Sequence, residues 1–262
     1  MRFGMPALIE FATAEENCAL CRELGLDFVE LNANLPLYHH LDEAEYTALS
    51  GAYGVGFTLH LDDNMDVCDF NSRVARAYCD TMLDAIDAAK RLHIPIINMH
   101  LSRGAYFTLP DKKVFVIEQY KEQYLEKIRA FRDMCEARIG DRPLRIAVEN
   151  TTGYVPVQLE ALKILLESRV FCLNYDVGHN ACTGGGDEGF ILRNKEKLGH
   201  MHLHDAAPER KQDHLSLGAG ALDVPRLLSL MEGEGRTVVI EVKTADALRA
   251  SVRWLREKGL LS

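Results

Sequence analysis

Short runs of apolar and β-branched residues alternate with longer segments of helical periodicity along the whole chain. Eight runs have the length and composition of buried strands. The predicted strands are Arg2–Ile9, Phe28–Ala33, Gly56–Leu61, Ile94–His100, Leu144–Asn150, Val170–Asp176, Gly199–His204 and Thr237–Val242. The amphipathic segments between and after them are Ala14–Gly25, Asp42–Tyr53, Ser72–Leu92, Val114–Ile139, Val157–Ser168, Glu188–Leu198, Val224–Gly233 and Ala245–Lys258. The pattern therefore predicts eight consecutive βα units.

Eight βα units in 262 residues fit one domain better than two. No linker rich in proline, serine or charge interrupts the series, and α/β barrels commonly fill about 200 to 250 residues as one domain. A doubly wound open sheet is the alternative, but such a sheet normally has a glycine-rich phosphate turn after its first strand. Here the segment after Ile9 reads EFATAEE. We therefore predict a single-domain (β/α)8 TIM barrel over residues 1–262.

Composition and charge narrow the class of partner. Apolar residues make up 47% of the chain and charged residues 26%, as in ordinary globular proteins. Lys and Arg number 30 against 39 Asp and Glu, and this net charge of −9 repels nucleic acid and anionic membranes. No stretch approaches the roughly 18 apolar residues of a membrane span, and the seven cysteines fit reduced thiols. We expect a cytoplasmic protein with a small-molecule partner; a homo-oligomer stays open.

Polar side chains of metal-ligand type fall at the carboxyl ends of six consecutive predicted strands. They are His60, His100, Glu149, Asp176, His202 and Glu241. In a parallel barrel these strand ends form one face, where inward-pointing side chains converge and barrel enzymes place their chemistry. Any one of these residues is more often a hydrogen-bonded loop residue, but six in the same position indicate one shared site.

Three carboxylates in one buried site require compensating positive charge. Burying them unpaired costs several kcal/mol each, on the order expected for desolvated charges, so they would become protonated or bind cations. A divalent metal ion is the simplest such cation. A mixed set of imidazoles and carboxylates suits Zn²⁺, Mn²⁺, Co²⁺ or Fe²⁺ better than Ca²⁺. The sequence therefore predicts a divalent-metal cofactor, with Zn²⁺ or Mn²⁺ as the leading candidates.

Further polar residues near the strand ends extend this predicted cluster. His179 follows Asp176 by three residues, a spacing that can bring both side chains to the same mouth, and His214 precedes a glycine turn. Both are candidate metal ligands, and either can instead be a solvated loop histidine. Glu30 on the second strand and Glu10 after the first are further candidates for the rim.

The seventh predicted strand carries three histidines on one face. His200, His202 and His204 share that face because side chains alternate along a strand. Only a side chain at one depth in the barrel can reach a given ion. We predict that His202, in the middle, is the ligand and that His200 lies deeper.

Glycine-rich loops give a weaker signal for phosphate. Gly184–Gly186 follow the sixth strand, and Gly218 and Gly220 follow the seventh, where barrel loops can offer backbone N–H groups to an anion. Such loops are commonly simple turns. Lys243 and Arg103 are the nearby cations that could meet a phosphate or a hydroxyl group. The sequence therefore leaves open whether the substrate carries a phosphate group.

The strand-end motifs together resemble those of the xylose isomerase-like barrels. This superfamily groups sugar isomerases and epimerases with endonuclease IV-type apurinic endonucleases. The resemblance spans the whole chain and rests on TLH at His60, NMH at His100, AVENTTG at Glu149, NYDVGHN at Asp176 and His179, HMHLHDA at His202, DHLSLGAG at His214, and VIEV at Glu241. The set is far more selective than any single motif.

The two branches of the superfamily imply different metal contents. The sugar-converting branch implies one metal ion held by Glu149, Asp176, His202 and Glu241. The endonuclease branch implies three zinc ions, with added roles for His60, His100, His179 and His214. That branch also has an aspartate two residues before the last histidine, where this chain has Gln212, with Asp213 displaced by one position. This departure and the acidic charge favour a small substrate.

The first hypothesis is therefore a metal-dependent isomerase or epimerase of a sugar or sugar phosphate. Glu149 and Glu241 would exchange a proton with the carbon next to a carbonyl, and the metal ion would stabilise the enediolate. His179 would orient the substrate or relay a proton. An endonuclease IV-like zinc phosphodiesterase acting on abasic DNA is the alternative. A barrel that binds a metal and a ligand without turnover is the third.

Overall fold

All eight predicted apolar runs form strands of one parallel sheet. The structure is a computed structural model that describes residues 1–261. Its barrel strands are β1 Arg2–Pro6, β2 Phe28–Asn32, β3 Gly56–His60, β4 Ile96–His100, β5 Arg145–Glu149, β6 Phe171–Asp176, β7 Leu198–Leu203 and β8 Thr237–Ile240. Each strand pairs with the next, and β8 pairs with β1 through Thr237 and Arg2. The predicted TIM barrel is confirmed.

Helices connect the strands on the outside of the barrel. They are α1 Ala14–Glu23, α2 Glu43–Tyr53, α3 Ser72–Arg91, α4 Val116–Gln119, α5 Lys121–Ile139, α6 Pro156–Leu166, α7 Val177–Cys182, α8 Glu188–Arg193, α9 Val224–Ser229 and α10 Ala245–Glu257. Single 3-10 turns lie at Pro36–Tyr38, Lys195–Lys197 and Pro208–Arg210. Four of the longer helices, α1, α2, α3 and α10, begin at side-chain caps, for example Thr13, which forms a capping box with Glu16.

The strand pleat separates a mixed interior from an apolar exterior. Ile96, Ala147 and Cys172 form a small apolar cluster inside the barrel. The next residue on the same face of each of their strands is polar. Ile97 and Val148, on the opposite face, are fully buried in the main apolar core, which includes the surrounding helices. The barrel therefore has an apolar floor below a polar mouth.

The predicted helix Val114–Ile139 is wrong in its first turn. Its first residues pair in the antiparallel hairpin Tyr106–Thr108 with Lys113–Phe115, and the helical part is broken at Tyr120. The hairpin turn contains Pro110 and Asp111, residues typical of turns. A second hairpin, Asp205–Ala207 with Gln212–Leu215, extends the loop after β7. Both hairpins lie at the carboxyl ends of strands and frame the mouth.

Three further observations concern the chain as a whole. The predicted helices at 188–198 and 224–233 are shorter than expected, ending at Arg193 and Ser229. All seven cysteines are free thiols. Among residues 1–261 no helix combines the length and apolar character that crossing a bilayer requires.

Candidate functional site

The six strand-end side chains come together at the mouth of the barrel. His60, His100, Glu149 and Asp176 are the last residues of β3, β4, β5 and β6, His202 lies near the end of β7, and Glu241 directly follows β8. Nδ1 of His202 lies 3.2 Å from Oε2 of Glu149 and 3.1 Å from Oε2 of Glu241. The same nitrogen lies 3.9 Å from Oδ2 of Asp176. Three carboxylates therefore converge on one imidazole nitrogen.

Two buried amides hold Glu149 in place. Oε2 of Glu149 accepts hydrogen bonds from Nδ2 of Asn98 at 2.5 Å and from Nδ2 of Asn174 at 3.1 Å. Nδ2 of Asn174 also lies 3.0 Å from Oδ1 of Asn98. Neither amide was among the predicted site residues. They lie two residues before His100 and Asp176, so the strand period places them on the same inward face, and that period was the available signal.

His60 and His100 flank Glu149 on its other side. Nε2 of His60 lies 3.5 Å from Oε2 of Glu149, and Nε2 of His100 lies 3.6 Å from Oε1. Nδ1 of His60 donates to the backbone carbonyl of Leu61 at 2.7 Å, so Nε2 is the ring nitrogen that faces Glu149. Oδ1 of Asp63 lies 3.8 Å from Nδ1 of both rings. Both histidines thus direct Nε2 at Glu149.

A short helix missed by the sequence analysis brings His179 to the site. Asp176 caps α7, and its Oδ1 accepts the backbone N–H of His179 at 2.6 Å. Nδ1 of His179 lies 3.3 Å from Oδ2 of Asp176 and 3.4 Å from Oε1 of Glu149. The D-x-x-H spacing therefore has a structural cause: it is a helix cap whose first turn points a histidine back at the capping carboxylate.

The loop after β7 completes the mouth. Nε2 of His214 lies 3.5 Å from Oε2 of Glu241, and its Nδ1 lies 2.8 Å from Oδ1 of Asp213. His179, Asp213 and His214 offer ligand atoms within 4.8 Å of one another. Asp213 reaches the cluster although it is displaced by one position in the sequence. His214 has a positive φ of 53°, which turns its side chain toward the mouth.

Glu30 lies below the ligands, and Glu10 lies outside the cluster. Oε2 of Glu30 is 2.9 Å from Nε2 of His202, and Oε1 is 3.0 Å from Nε2 of His200. His200 therefore lies deeper than His202, as we predicted from the strand period. Glu10 accepts the backbone N–H of Ala245 at the start of α10 instead of joining the rim.

Carboxylates and imidazoles shift one another's protonation. Burial raises the pKa values of Glu149 and Glu241, but the positive charge of His202 and hydrogen bonds from the neighbouring histidines together lower both. Burial lowers the pKa of His202, but Glu149, Glu241 and Glu30 together raise it well above its ordinary value. Burial also lowers the pKa of His60 and His179, but hydrogen bonds to Glu149 and the charges of nearby carboxylates together raise it to about 9. Protonated imidazoles balance the carboxylates, a role that a divalent cation can take over.

The candidate phosphate groups are largely engaged within the protein. The backbone N–H of Gly218 donates to Oδ2 of Asp205 at 2.9 Å. Lys243 donates to Oε1 of Glu241 at 2.8 Å, at the edge of the site. Arg103 donates to the backbone carbonyls of Thr152 and Gly153. Of these, Lys243 is the cation closest to the carboxylates, since it touches one of them directly.

Gly178 permits a close approach between α7 and a histidine ring, and we expect Gly178→Ala to destabilise the protein. A Cβ at this position would lie 2.0 Å from Cε1 of His204. Alanine favours a helix by about 1 kcal/mol over glycine, but overpacking costs about 1 to 3 kcal/mol. The free energy of unfolding, measured with urea, should therefore be lower for Gly178→Ala than for the wild-type protein. Gly189→Ala in α8 is the matched control, because its Cβ meets only Arg193 at 3.5 Å; equal stability changes for both would contradict the prediction.

We expect Glu30→Gln to lower the free energy of unfolding of the metal-free protein by about 2 kcal/mol at pH 7, from lost charge-assisted hydrogen bonds. Burial raises the pKa of Glu30, but His202 and His200 outweigh it and lower the pKa below the ordinary 4.5. The carboxylate therefore stabilises the fold above that pH, and the contribution fades as the pH falls below it. Urea titrations at pH 7 and pH 4 test this, with exposed Glu43→Gln as control. A Gln variant of wild-type stability at pH 7 would contradict it.

Comparison with solved structures shows the fold of the whole chain. A D-tagatose 3-epimerase-like protein superposes with a TM-score of 0.79 and 20% identity over 99% of this chain and 98% of its own. The 3-keto-D-glucoside 4-epimerase from E. coli gives 0.75 and 19% identity, covering 98% and 99%. A probable 3-DHS dehydratase from Bacillus anthracis gives 0.72 and 14% identity, covering 98% and 99%. At these identities the likeness establishes the fold and not the reaction.

Sequence comparison gives the family. A search of curated proteins found no match. The family model described as xylose isomerase-like TIM barrel matches residues 18–258, which is nearly the entire chain and includes every residue of the mouth named above. The chain therefore belongs to the xylose isomerase-like TIM barrel family, as its strand-end motifs predicted.

Proposed function

We propose that this protein is a divalent-metal-dependent isomerase or epimerase of a sugar or sugar phosphate. The observation that carries the proposal is the convergence of three carboxylates on Nδ1 of His202, at 3.1 to 3.9 Å. Solved structures of the same fold include a tagatose 3-epimerase-like protein and a 3-keto-glucoside 4-epimerase, which supports this reaction class.

The residues at the mouth fit a metal ion. Within residues 1–261, Nδ1 of His202, Oε2 of Glu241 and Nδ1 of His179 are buried and make no hydrogen bond of good geometry. Buried polar atoms without partners are costly, and a cation bound between these carboxylates and imidazoles would supply the partner that these three atoms lack. Glu149, Asp176, His202 and Glu241 would hold the ion. One imidazole and three carboxylates suit Mn²⁺ or Zn²⁺.

A divalent ion bound there would act as a Lewis acid that polarises a substrate carbonyl. The chain's own residues then supply the proton transfers. Glu149 and Glu241 extend from β5 and β8, strands three positions apart around the ring, so they approach a substrate from different sides. One would remove the proton from the carbon next to the carbonyl, and the other would return a proton at the neighbouring carbon or the opposite face.

The two glutamates have different hydrogen-bond partners. Asn98 and Asn174 donate to the same oxygen of Glu149, which fixes the carboxylate and leaves Oε1 facing His179 and His100. Lys243 donates to the opposite oxygen of Glu241 from the one that faces His202. His179 lies between Asp176 and Glu149 and is 22% exposed, so it can touch a substrate hydroxyl and orient it or relay a proton.

Hydrogen exchange in heavy water tests the proposed reaction. The protein is loaded with Mn²⁺ or Co²⁺ and incubated in D2O with a panel of ketoses and their phosphates. We expect deuterium at the carbon next to the carbonyl of at least one sugar, together with an isomer or epimer of that sugar. Protein treated with a chelator is the control. Metal-loaded protein that exchanges no hydrogen with any member would contradict the proposal.

A zinc phosphodiesterase acting on abasic DNA is the second candidate, because the structure gathers more imidazoles than one metal ion needs. His60 and His100 face Glu149, and His179 and His214 group with Asp213. Several ions clamped together would activate water for phosphodiester cleavage. Metal content separates the two candidates: one equivalent favours the sugar reaction, and two or three zinc equivalents favour the hydrolase. Zinc-dependent scission of an abasic duplex would establish the second.

A further inference from the structure

His204 is a buried histidine at the mouth to which the proposed reaction gives no role. It follows β7 directly, and its ring is fully buried. Each ring nitrogen has its own partner. Nδ1 lies 2.8 Å from the backbone nitrogen of His214, and Nε2 lies 3.1 Å from Oδ1 and 3.2 Å from Oδ2 of Asp176. The ring therefore bridges the loop after β7 to a carboxylate at the end of β6.

The two partners fix where the ring carries its proton. A backbone N–H can only donate, so Nδ1 of His204 accepts the bond from His214 and carries the lone pair. The ring proton is then on Nε2, which donates to Asp176. A nitrogen that holds a proton cannot bind a metal ion, and the other nitrogen is occupied. His204 is thus excluded as a ligand in this arrangement, although it lies close to Asp176, His214 and Glu241.

The ring is also closely packed on two sides. The ring of His214 stacks on it with centroids 4.1 Å apart and planes 6° from parallel. On the side of α7, the backbone of Gly178 approaches so closely that a Cβ there would overlap Cε1 of His204. The ring therefore has no room to turn over, and its proton stays directed at Asp176.

This arrangement determines the orientation of the Asp176 carboxylate. Oδ1 accepts the backbone N–H of His179 at 2.6 Å. Both carboxylate oxygens share the Nε2–H of His204, at 3.1 Å for Oδ1 and 3.2 Å for Oδ2. Oδ2 also points toward Nδ1 of His179 and of His202, at 3.3 and 3.9 Å. Together these two donors hold the carboxylate in place with Oδ2 directed at the two imidazoles. Partners of this kind orient ligating carboxylates, and their loss typically costs about 10- to 100-fold in metal affinity or activity.

We propose that His204 is a positioning residue that fixes the orientation of the Asp176 carboxylate at the metal site and fastens the His214 loop to the same carboxylate. The inference rests on the metal site of the proposed function. It holds for either candidate reaction, because both use Asp176 as a ligand.

Three substitutions at His204 test the two hydrogen bonds of the ring separately: one keeps the bond to Asp176, one keeps the bond from His214, and one loses both. In His204→Gln the side-chain amide reaches the position of Nε2 and can donate to Asp176. In His204→Asn the amide oxygen reaches the position of Nδ1, accepts the His214 N–H and leaves Asp176 without its donor. His204→Phe keeps the ring and loses both bonds. His40→Gln, at an exposed histidine, is the control.

The test measures Co²⁺ affinity by competition with a chelator, the visible spectrum of bound Co²⁺, and unfolding of the metal-free proteins. We expect the Asn and Phe variants to bind Co²⁺ about 10- to 100-fold more weakly than wild type, and the Gln variant within about threefold with an unchanged spectrum. A role limited to packing or loop anchoring predicts altered unfolding with wild-type Co²⁺ affinity in all variants, which would overturn the proposal.

Two other outcomes are equally decisive. If the Gln variant loses affinity and its Co²⁺ spectrum changes, His204 is a ligand and the proposal is wrong. If wild-type protein binds no Co²⁺, the proposed metal-dependent function fails and the positioning role fails with it. If the wild-type protein binds Co²⁺ and all His204 variants bind it equally well, the positioning role is overturned and the proposed function is not.

Discussion

Glu149→Gln and Glu241→Gln should each lower kcat by about 10³-fold or more, since each removes a group proposed both to transfer a proton and to hold the metal ion. General acid–base catalysis alone contributes about 10²- to 10⁴-fold. Glutamine has the shape of glutamate but cannot accept a proton at neutral pH, and its amide is a poorer ligand for a divalent ion. The loss should appear in kcat rather than only in KM, because the proton transfer itself is affected.

The same variants should remain folded. In Glu149→Gln the amide oxygen can still accept hydrogen bonds from Asn98 and Asn174, which hold the carboxylate in the wild-type protein. Circular dichroism and the unfolding midpoint check this, and Glu43→Gln on the exposed side of α2 is the activity control. A double variant, Glu149→Gln with Glu241→Gln, that retains turnover would remove both residues from the mechanism.

Removing divalent metal should abolish activity and lower the thermal midpoint. A ligand present at about 1,000 times its Kd stabilises the folded state by about 4 kcal/mol. In a domain of this size each kcal/mol shifts the midpoint by about 2 to 4 °C, so the expected shift is about 10 °C. Differential scanning calorimetry before and after chelation, and again after Mn²⁺ or Zn²⁺ is restored, measures the effect.

Metal binding should also release protons at neutral pH. The carboxylates around His202 raise its pKa well above the ordinary value, so this imidazole must lose a proton before Nδ1 can bind an ion. Apparent metal affinity should therefore fall as the pH is lowered. Titration calorimetry in buffers of different ionisation enthalpy counts the protons. An unchanged midpoint on chelation, with no proton release on metal addition, would contradict the metal site.

The sequence predicted the barrel and its mouth because both depend on periodicity. Strand length, helix length and the position of a polar residue at each strand end are local properties, so six ligand-type residues could be placed on one face before any contact was known. His60, His100 and Glu149 illustrate this, since each ends its strand as expected. The register of neighbouring strands then brings them together, for example His100 opposite Glu149.

Features that depend on partners distant in sequence could not be predicted from the sequence. Asn98 and Asn174 have a role only because β4, β5 and β6 are adjacent and Glu149 lies between them. The hairpin at 106–115 was hidden within an amphipathic segment, where the helical period extended past a turn. Asp213 lies in the cluster because of the backbone conformation of the loop after β7, and residue types alone do not determine that conformation.

The central claim is that Glu149, Asp176, His202 and Glu241 share one divalent ion at the mouth of the barrel. Anomalous diffraction from crystals grown with Mn²⁺ tests it most directly. We expect a peak about 2.0 to 2.3 Å from an oxygen of each carboxylate and from Nδ1 of His202. An ordered mouth without such a peak, or an ion held by other residues, would contradict it.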